Sequence, residues 1–230
     1  MKKYISIAAA AFLCASCVFN VNPNFQFGNG SYIKGEGPII TKTLDFSDFN
    51  GIRVNGNAVV NLTQGEEWEV LLTTHENIFD TLDYKVEDSI LVIQIKDKQR
   101  IKAEKYELAI QMPELAAFEV NGAADGKVKA FSQPTKDVNI RVNGAGDLEF
   151  EGITCKQMSV KVNGAADFEG SGLDVESVDV EVNGAGDVEL KGKAGNASFE
   201  VHGAGDIDAR ELSVAGEVKK KTAGAARIRL

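Results

Sequence analysis

A six-residue motif returns about every twenty residues through the second half of the chain. It reads Val-Asn-Gly-Ala, then Gly or Ala, then Asp, and its complete copies occupy residues 120–125, 142–147, 162–167 and 182–187. Two altered copies follow, at residues 201–206 with His202 in place of the asparagine, and at residues 222–227 with Arg227 in place of the aspartate. A fixed period of this length indicates stacked supersecondary units, each burying its apolar face against its neighbours.

Each motif lies between two segments that have the alternation of β-strands. In the second copy, residues 138–142 (VNIRV) lead into the motif and residues 148–150 (LEF) follow it. Period-two alternation is typical of strands with one buried face and one solvated face, and glycine permits tight corners between them. Two or three short strands in each unit predict one coil of about 20 residues in a parallel β-helix, over residues 116–230.

Residues 39–115 carry strand signals without a regular period. Runs such as residues 90–95 (ILVIQI) and 106–112 (YELAIQM) are separated by turn residues, which predicts an irregular all-β part interrupted by hairpins. Residues 75–82 are the exception and predict a helical turn or two. Residues 54–56 (VNG) form an early copy of the motif, about three repeat lengths before Gly122.

The first residues have the pattern of an exported bacterial protein. A basic start and a short apolar run at residues 5–13 are typical of a signal peptide and too short for a permanent membrane span. Ala15 and Ser16, directly before Cys17, resemble the lipobox of bacterial lipoproteins, which implies cleavage after residue 16 and acylation of Cys17. We therefore expect a signal peptide at 1–16 and a lipid anchor with a flexible tether at 17–38.

Composition narrows the partners and the chemistry. Of the three cysteines, Cys14 leaves with the signal peptide and Cys17 is acylated, so Cys155 remains alone and no intrachain disulfide is expected. The formal net charge is −9 and the sequence has no basic cluster, which argues against nucleic acid as a partner. No motif indicates a metal ion or another cofactor.

The motif asparagines are expected to form a structural ladder. Stacked strands lie about 4.8 Å apart, so equivalent side chains of successive coils can hydrogen-bond to one another. The predicted ladder comprises Asn121, Asn143, Asn163 and Asn183. His202 is expected to continue it and Ala223 to end it, while ligand binding by these asparagines is the alternative.

The motif aspartates form a second column, in which like charges lie close together. They are Asp125, Asp147, Asp167, Asp187 and Asp206. We expect each carboxylate to accept main-chain N–H groups of its own corner, as in an Asx turn. A cation site is the alternative, since Gly-x-Gly-x-Asp also occurs in calcium-binding β-roll repeats, although those repeats have a shorter period.

Three features together resemble a known family. These are the repeated Val-Asn-Gly-Ala-Gly-Asp motif, the upstream segment 49–56 (FNGIRVNG) and residues 112–115 (MPEL) before the first full repeat. They resemble the head GIN domain family, whose members are envelope proteins labelled putative autotransporter adhesins. The resemblance covers about residues 39–230 and implies a single-stranded, right-handed parallel β-helix similar in shape to pectate lyases. It implies no catalytic residues.

These observations favour a lipoprotein of the cell envelope, on the outer membrane, that acts as an adhesin or a glycan- or surface-binding module without catalysis. The side of the membrane that it faces is left open. A structural or assembly protein is the first alternative and a polysaccharide-acting enzyme the second. The enzyme is disfavoured because the same acid recurs in every coil and His75 lies far from His202 in sequence.

Two local features also bear on partners. The last coil ends in a strand with Arg227 and Arg229 and without a polar cap, so it predicts either self-association or an edge protected by charge. Thr81 and Ser89 each lie in an Asp-Ser/Thr-apolar triplet, which resembles the acceptor of some bacterial O-glycosylation systems. Initiation of a turn by the aspartate is the alternative in both triplets.

Overall fold

The computed structural model describes residues 32–230, with the main chain alone at Lys98, and this part is all-β. The predicted signal peptide, Cys17 and the rest of residues 1–31 lie outside the described residues. Within the described part, no helix combines the length and the apolar character needed to cross a membrane. The segment read as a tether includes a short strand near its end, because Tyr32–Lys34 pairs in parallel with Arg100–Lys102.

Between residues 32 and 112 the structure has eight strands and two short 3-10 helices. The strands are β1 (Tyr32–Lys34), β2 (Ile39–Thr43), β3 (Gly51–Gln64), β4 (Glu69–His75), β5 (Leu82–Glu87), β6 (Ile90–Ile95), β7 (Arg100–Lys102) and β8 (Tyr106–Met112). The 3-10 helices are Glu76–Thr81 and Lys96–Lys98. The helical turn predicted within residues 75–82 is confirmed by the first of them.

The second half consists of seven strand segments. They are β9 (Ala117–Lys129), β10 (Ser132–Glu151), β11 (Thr154–Gly184), β12 (Val188–Gly203), β13 (Asp206–Val214), β14 (Val218–Gly224) and β15 (Arg227–Arg229). Several segments are long because successive strands of a repeat follow one another without a break. Pairing between them is parallel throughout, from β9 with β10 to β13 with β15.

The register of these pairs places one motif on the next. Asn121 pairs with Asn143 and Asn143 with Asn163, so each residue meets its equivalent one repeat later. Asn183 pairs with His202 in the same way. The main sheet follows the order β15-β13-β12-β11-β10-β9-β3-β8-β4-β2 and does not close on itself.

The early copy of the motif stacks directly on the first full repeat. β3 pairs in parallel with β9, with Asn55 opposite Asn121 and Gly56 opposite Gly122. The 66-residue gap continues the stack in an irregular form, because β6 and β8 both pair in parallel with β3 on the edge away from β9. It contains strands β4 to β8, in which β4 is antiparallel to β2 and β8, and β5 is antiparallel to β6.

The core runs along the stack as columns of equivalent apolar residues. The motif valines Val120, Val142, Val162, Val182 and Val201 are fully buried. Phe150 packs between two other rings, with centroid distances of 5.8 Å to Phe118 and 5.2 Å to Phe168. Burial of each such side chain contributes about 1.5–3 kcal/mol. Cys155 is part of this core as well, and burial raises the pKa of its thiol to about 12.

The motif glycines are required because the main chains of adjacent repeats touch at the corner. Gly164 has φ +148°, and a Cβ atom there would lie 2.0 Å from the carbonyl oxygen of Gly144. Gly144 and Gly184 stand in the same relation to the glycine of the preceding repeat. A side chain at these positions would push two hydrogen-bonded main chains apart. The repeat can therefore stack only where glycine occupies the third motif position.

We predict that Gly164→Ala lowers the free energy of unfolding by more than about 3 kcal/mol, because main chain must move to accept the methyl group. Gly152→Ala is the matched control, since Gly152 also has positive φ, +68°, but the nearest atom to an added Cβ lies 3.8 Å away. The control should cost about 1 kcal/mol, from backbone strain alone. Urea unfolding of both variants measures the difference. Equal losses would show that backbone strain alone requires the motif glycine.

Candidate functional site

The four predicted ladder asparagines lie in one hydrogen-bonded column. The Nδ2 group of Asn143 donates to Oδ1 of Asn121 at 2.8 Å, and Asn163 donates to Asn143 at 2.8 Å. Asn183 donates to Asn163 at 2.9 Å. Each inner amide thus donates to the preceding repeat and accepts from the next. These half-buried groups are occupied by one another, which leaves little hydrogen-bonding capacity for a ligand.

Compared with the sequence-based prediction, the ladder has one more member at its beginning, Asn55, and lacks the expected member His202 at its end. Asn55 accepts a hydrogen bond of 2.9 Å from Asn121, so it is a fifth member. The early copy of the motif at residues 54–56 is the sequence pattern that could have indicated this member. His202 does not continue the ladder, because its Nε2 atom lies 2.7 Å from Oε1 of Glu200 on its own strand. An acid two residues away attracts the imidazole more strongly than a neighbouring amide does.

A charged column runs beside the ladder on the solvated face. It consists of Arg53, Glu119, Arg141, Lys161, Glu181, Glu200 and Lys221, which are in register from repeat to repeat. Ion pairs join Arg53 to Glu119 at 2.8 Å and Lys161 to Glu181 at 2.7 Å, and Lys221 also pairs with Glu200. Exposed pairs of this kind each contribute well under about 1 kcal/mol.

Hydrogen bonds from this column also connect to the ladder. Asn121 donates to Glu119 at 3.0 Å and Asn183 donates to Glu181 at 2.7 Å. The Lys161 ammonium and the Asn183 amide lower the pKa of Glu181 below its ordinary value. Burial raises the pKa of Glu119, but the hydrogen bonds from Arg53 and Asn121 outweigh burial and the net shift is downward. Both carboxylates are therefore held in the ionised form.

The aspartate column differs from the expected Asx turns. Asp125 accepts the main-chain N–H of Asp147 at 3.1 Å, which belongs to the next repeat and not to its own corner. Asp167 accepts from Asp187 at 3.2 Å, and Asp187 accepts from Asp206 at 3.0 Å. The expectation that each carboxylate caps its own corner was wrong, because the parallel register presents the N–H of the next repeat.

Basic side chains pair with acids around the C-terminal end of the aspartate column. Lys191 pairs with Glu189 at 2.9 Å, while Arg210 pairs with Asp208 at 2.6 Å. Arg229 reaches back to Asp206 at 3.0 Å, so Arg229 complements the end of the aspartate column. The Arg210 hydrogen bonds lower the pKa of Asp208 to about 2. Among residues 32–230, no three acidic, histidine or cysteine side chains are grouped so as to hold a metal ion.

The two histidines have separate structural surroundings. His75 is buried, with Nδ1 3.1 Å from the carbonyl oxygen of Gly37 and Nε2 accepting the N–H of Glu104 at 3.4 Å. Both of its ring nitrogens are thus occupied by main chain. His202 pairs with Glu200 in the regular repeats. Neither histidine of the described part has a hydrogen bond to a serine or cysteine side chain.

The two candidate glycosylation residues differ in accessibility. The Thr81 hydroxyl donates to the carbonyl oxygen of Ile78 at 2.7 Å, within the first 3-10 helix, and the residue is half-buried. Ser89 is exposed in the turn between β5 and β6, with φ +60°. Access by a modifying enzyme is therefore simpler at Ser89.

The geometry of the aspartate column predicts indifference to calcium, because three of its five carboxylates already accept main-chain N–H groups of the next repeat and a fourth, Asp206, pairs with Arg229. Addition of millimolar Ca²⁺, and then of a chelator, should change the melting temperature of the full-length protein by less than about 2 °C. Mg²⁺ at the same concentration controls for ionic strength. A rise of about 10 °C with Ca²⁺ alone would establish a cation site that stabilises the fold.

Comparison with solved structures finds the same fold in several other proteins. A putative adhesin from Parabacteroides distasonis ATCC 8503 is 24% identical, with a TM-score of 0.74 over 86% of this chain and 84% of that one. A putative lipid binding protein from the same strain is 18% identical, with a TM-score of 0.72 over 87% and 100% of the two chains.

A putative adhesin from Bacteroides fragilis NCTC 9343 is 20% identical, with a TM-score of 0.66 over 86% of this chain and 99% of that one. No curated protein matches the sequence. The family model described as putative auto-transporter adhesin, head GIN domain, matches residues 48–230. This match confirms the resemblance read from the motif, the early copy at 54–56 and the segment 112–115. The chain belongs to the family of putative auto-transporter adhesins with a head GIN domain.

Proposed function

We propose that this protein is a non-catalytic adhesin of the bacterial cell envelope, anchored to the outer membrane by a lipid on Cys17. In this proposal the described domain presents a binding surface to a glycan or a surface protein. The observation that carries the proposal is that polar side chains of the repeats bind one another or the main chain. Their motif asparagines hydrogen-bond to one another, and many of their acids bind basic side chains or main chain, which supports a scaffold role for the regular part.

The proposed architecture is a single-stranded, right-handed parallel β-helix. Parallel pairing of each residue with its equivalent about one repeat later supports this architecture, as do the buried valine column and the glycine corners. A stack of this kind is stiff and grows in one direction, because each repeat contacts only its neighbours. A stiff scaffold suits a protein that must hold a binding surface away from a membrane.

The family supports the role of adhesin and the location in the envelope. Absence of catalysis is supported by the regularity of the acids. A glycosidase needs two carboxyl groups in different environments, one with a raised pKa and one with an ordinary pKa. In the described repeats the acids with shifted pKa values, such as Glu181 and Asp208, are all shifted downward by basic partners or amides.

Assembly into a larger envelope structure is the second candidate, and the end of the stack favours it. Within residues 32–230, β14 pairs only with β12, and β15 pairs only with β13. Their other edges carry unpaired main-chain groups and the basic residues Lys219, Lys220 and Lys221. Positive charge on an edge strand hinders indiscriminate pairing. Under this candidate the edge pairs with a second copy and the protein binds no ligand.

The proposal predicts that anchoring and adhesion depend on the same cysteine. Cells carrying the wild type should retain the protein in membranes, incorporate labelled fatty acid into it and bind to an array of glycans and matrix proteins. Cys17→Ala should release the protein and abolish labelling and binding, because the only acyl acceptor is lost. Cys14→Ala is the matched control and should behave as wild type, because Cys14 lies in the part removed on export.

The outcomes separate the two halves of the proposal. A Cys17→Ala variant that stays in membranes, with a Cys14→Ala variant that does not, would contradict the lipid site. An anchored wild type that binds nothing on the array, yet has the mass of a defined oligomer by light scattering, would replace the adhesin by the assembly protein.

A further inference from the structure

The one tryptophan of the chain lies in the irregular first half, at a surface that the repeats do not share. Trp68 directly precedes β4, and its indole N–H donates to the carbonyl oxygen of Phe49 at 2.7 Å. Its ring packs against Phe49 with a centroid distance of 6.4 Å. The side chain is nevertheless 36% exposed. The hydrogen bond and the packing fix the orientation of a ring whose remaining surface faces solvent.

A cleft opens on each side of Trp68. The first has a volume of about 370 Å³ and is lined by Asp48, Asn50, Pro113 and Glu114, among others. The second has a volume of about 620 Å³, and Asp45, Phe46 and Glu67 contribute to its wall. Both volumes lie in the range of small-molecule sites. The indole is common to both walls, so a ligand in either cleft contacts the tryptophan.

The polar groups of these clefts are mainly acceptors. Their walls contain the five carboxylates Asp45, Asp48, Glu67, Glu69 and Glu114, and no lysine, arginine or histidine of the described residues lines them. Lys136 lies 3.3 Å from Glu114 and is the ion-pair partner of that carboxylate. The indole N–H is already used by Phe49. A phosphate, sulfate or uronate would be repelled here, whereas hydroxyl groups would donate to ionised carboxylates.

The first cleft is also held in an uncommon backbone conformation. Asp48 has φ +61° and Ser89 has φ +60°, and both line this cleft. The main-chain N–H of Asn50 donates to the carbonyl oxygen of Ser89 at 2.9 Å, which ties the two loops together. The positive φ of Ser89 belongs to the two-residue hairpin turn between β5 and β6, in which both central residues take positive φ. Asp48 lies outside such a hairpin, and strained backbone of this kind often occurs at ligand-binding sites.

We propose that the Trp68 cleft binds a neutral carbohydrate. The apolar face of a pyranose ring packs on the indole, and its hydroxyl groups donate to Asp48 and Glu114 in the first cleft. A chain of sugars extends past the indole toward Asp45 and Glu67 in the second. This assignment rests on the proposed adhesin function and narrows its ligand to an uncharged glycan.

A basic peptide is the competing occupant, since an ammonium group also favours carboxylates and an aromatic face. The geometry disfavours it. Aromatic sites for cations surround the charge with several rings, and here Trp68 offers one open face while Phe49 lies buried beneath it. The cleft of about 370 Å³ is also wider than one ammonium group needs.

Fluorescence tests the site directly, because Trp68 is the only tryptophan and its emission reports on this cleft alone. The full-length protein is purified in a detergent without a sugar headgroup, which would otherwise compete. The probes are a glucose tetramer, a galactose tetramer, an N-acetylglucosamine trimer, a mannose trimer, a sulfated disaccharide and hexalysine. We expect a saturable emission change with at least one neutral oligosaccharide below about 10 mM.

Variants then assign the contact. Asp48→Asn and Glu114→Gln keep the tryptophan and should each weaken binding about tenfold, because a charged acceptor is lost. Asparagine tolerates the positive φ at residue 48, so the loop is retained. Trp68→Ala, followed by calorimetry, should weaken binding by more than about tenfold. Asp174→Asn, on an exposed part of β11, is the matched control and should bind as wild type.

The remaining outcomes contradict the proposal. Emission changes with hexalysine or with the sulfated disaccharide, and none with the neutral sugars, would assign the cleft to a charged ligand. No change with any probe would remove the site. Sugar binding that survives Trp68→Ala in a protein with an unchanged melting temperature would place the sugar elsewhere.

The same variants distinguish failure of the Trp68 site from failure of the proposed adhesin function. Cells that display Trp68→Ala and still adhere like wild type would leave the adhesin in place and remove the Trp68 site. A wild-type protein that binds sugar through Trp68, on cells that adhere to nothing, would leave the site and remove the adhesin.

Discussion

Direct contact between the main chains of successive motifs constrains everything else in the repeats. The N–H of Ala185 donates to the carbonyl oxygen of Gly164 at 2.9 Å, and Ala204 donates to Gly184 at 2.8 Å. No side chain fits between such strands, so glycine is obligatory at the third motif position. Once the glycines meet, the register is fixed, and the valines, asparagines and aspartates of each repeat must fall into columns.

The repeat made much of this predictable from sequence, since a period of twenty residues places equivalent residues one above another. The all-β class, the buried valines and the neighbours of the four ladder asparagines follow from that period alone. Contacts that depend on the chain between repeats could not be predicted from the period. The position of Asn55 beside Asn121 needs the insertion of β4 to β8, and the pairing of His202 with Glu200 needs the side-chain distances. The Trp68 cleft combines residues from four separate loops, which no local pattern reveals.

In our account the repeats form a scaffold and the irregular half carries the binding surface. The repeats occupy their polar groups internally, through the ladder, the charged column and the aspartate contacts with the next repeat. The irregular half interrupts the stack with hairpins and leaves carboxylates and an aromatic ring facing solvent around Trp68. A binding surface is expected where regularity breaks, because specificity needs a unique arrangement of groups.

The central claim is that the motif asparagines stabilise the stack, and unfolding of Asn163→Ala tests it most directly. This change removes the partner that accepts from Asn183 and donates to Asn143. The account predicts a loss of about 1–3 kcal/mol in the free energy of unfolding, because the half-buried amides of Asn143 and Asn183 each lose a hydrogen bond. Ser159→Ala, on the same strand face and without a side-chain hydrogen bond in the described structure, should change it by less than about 0.5 kcal/mol. Equal values for the two variants would contradict the claim.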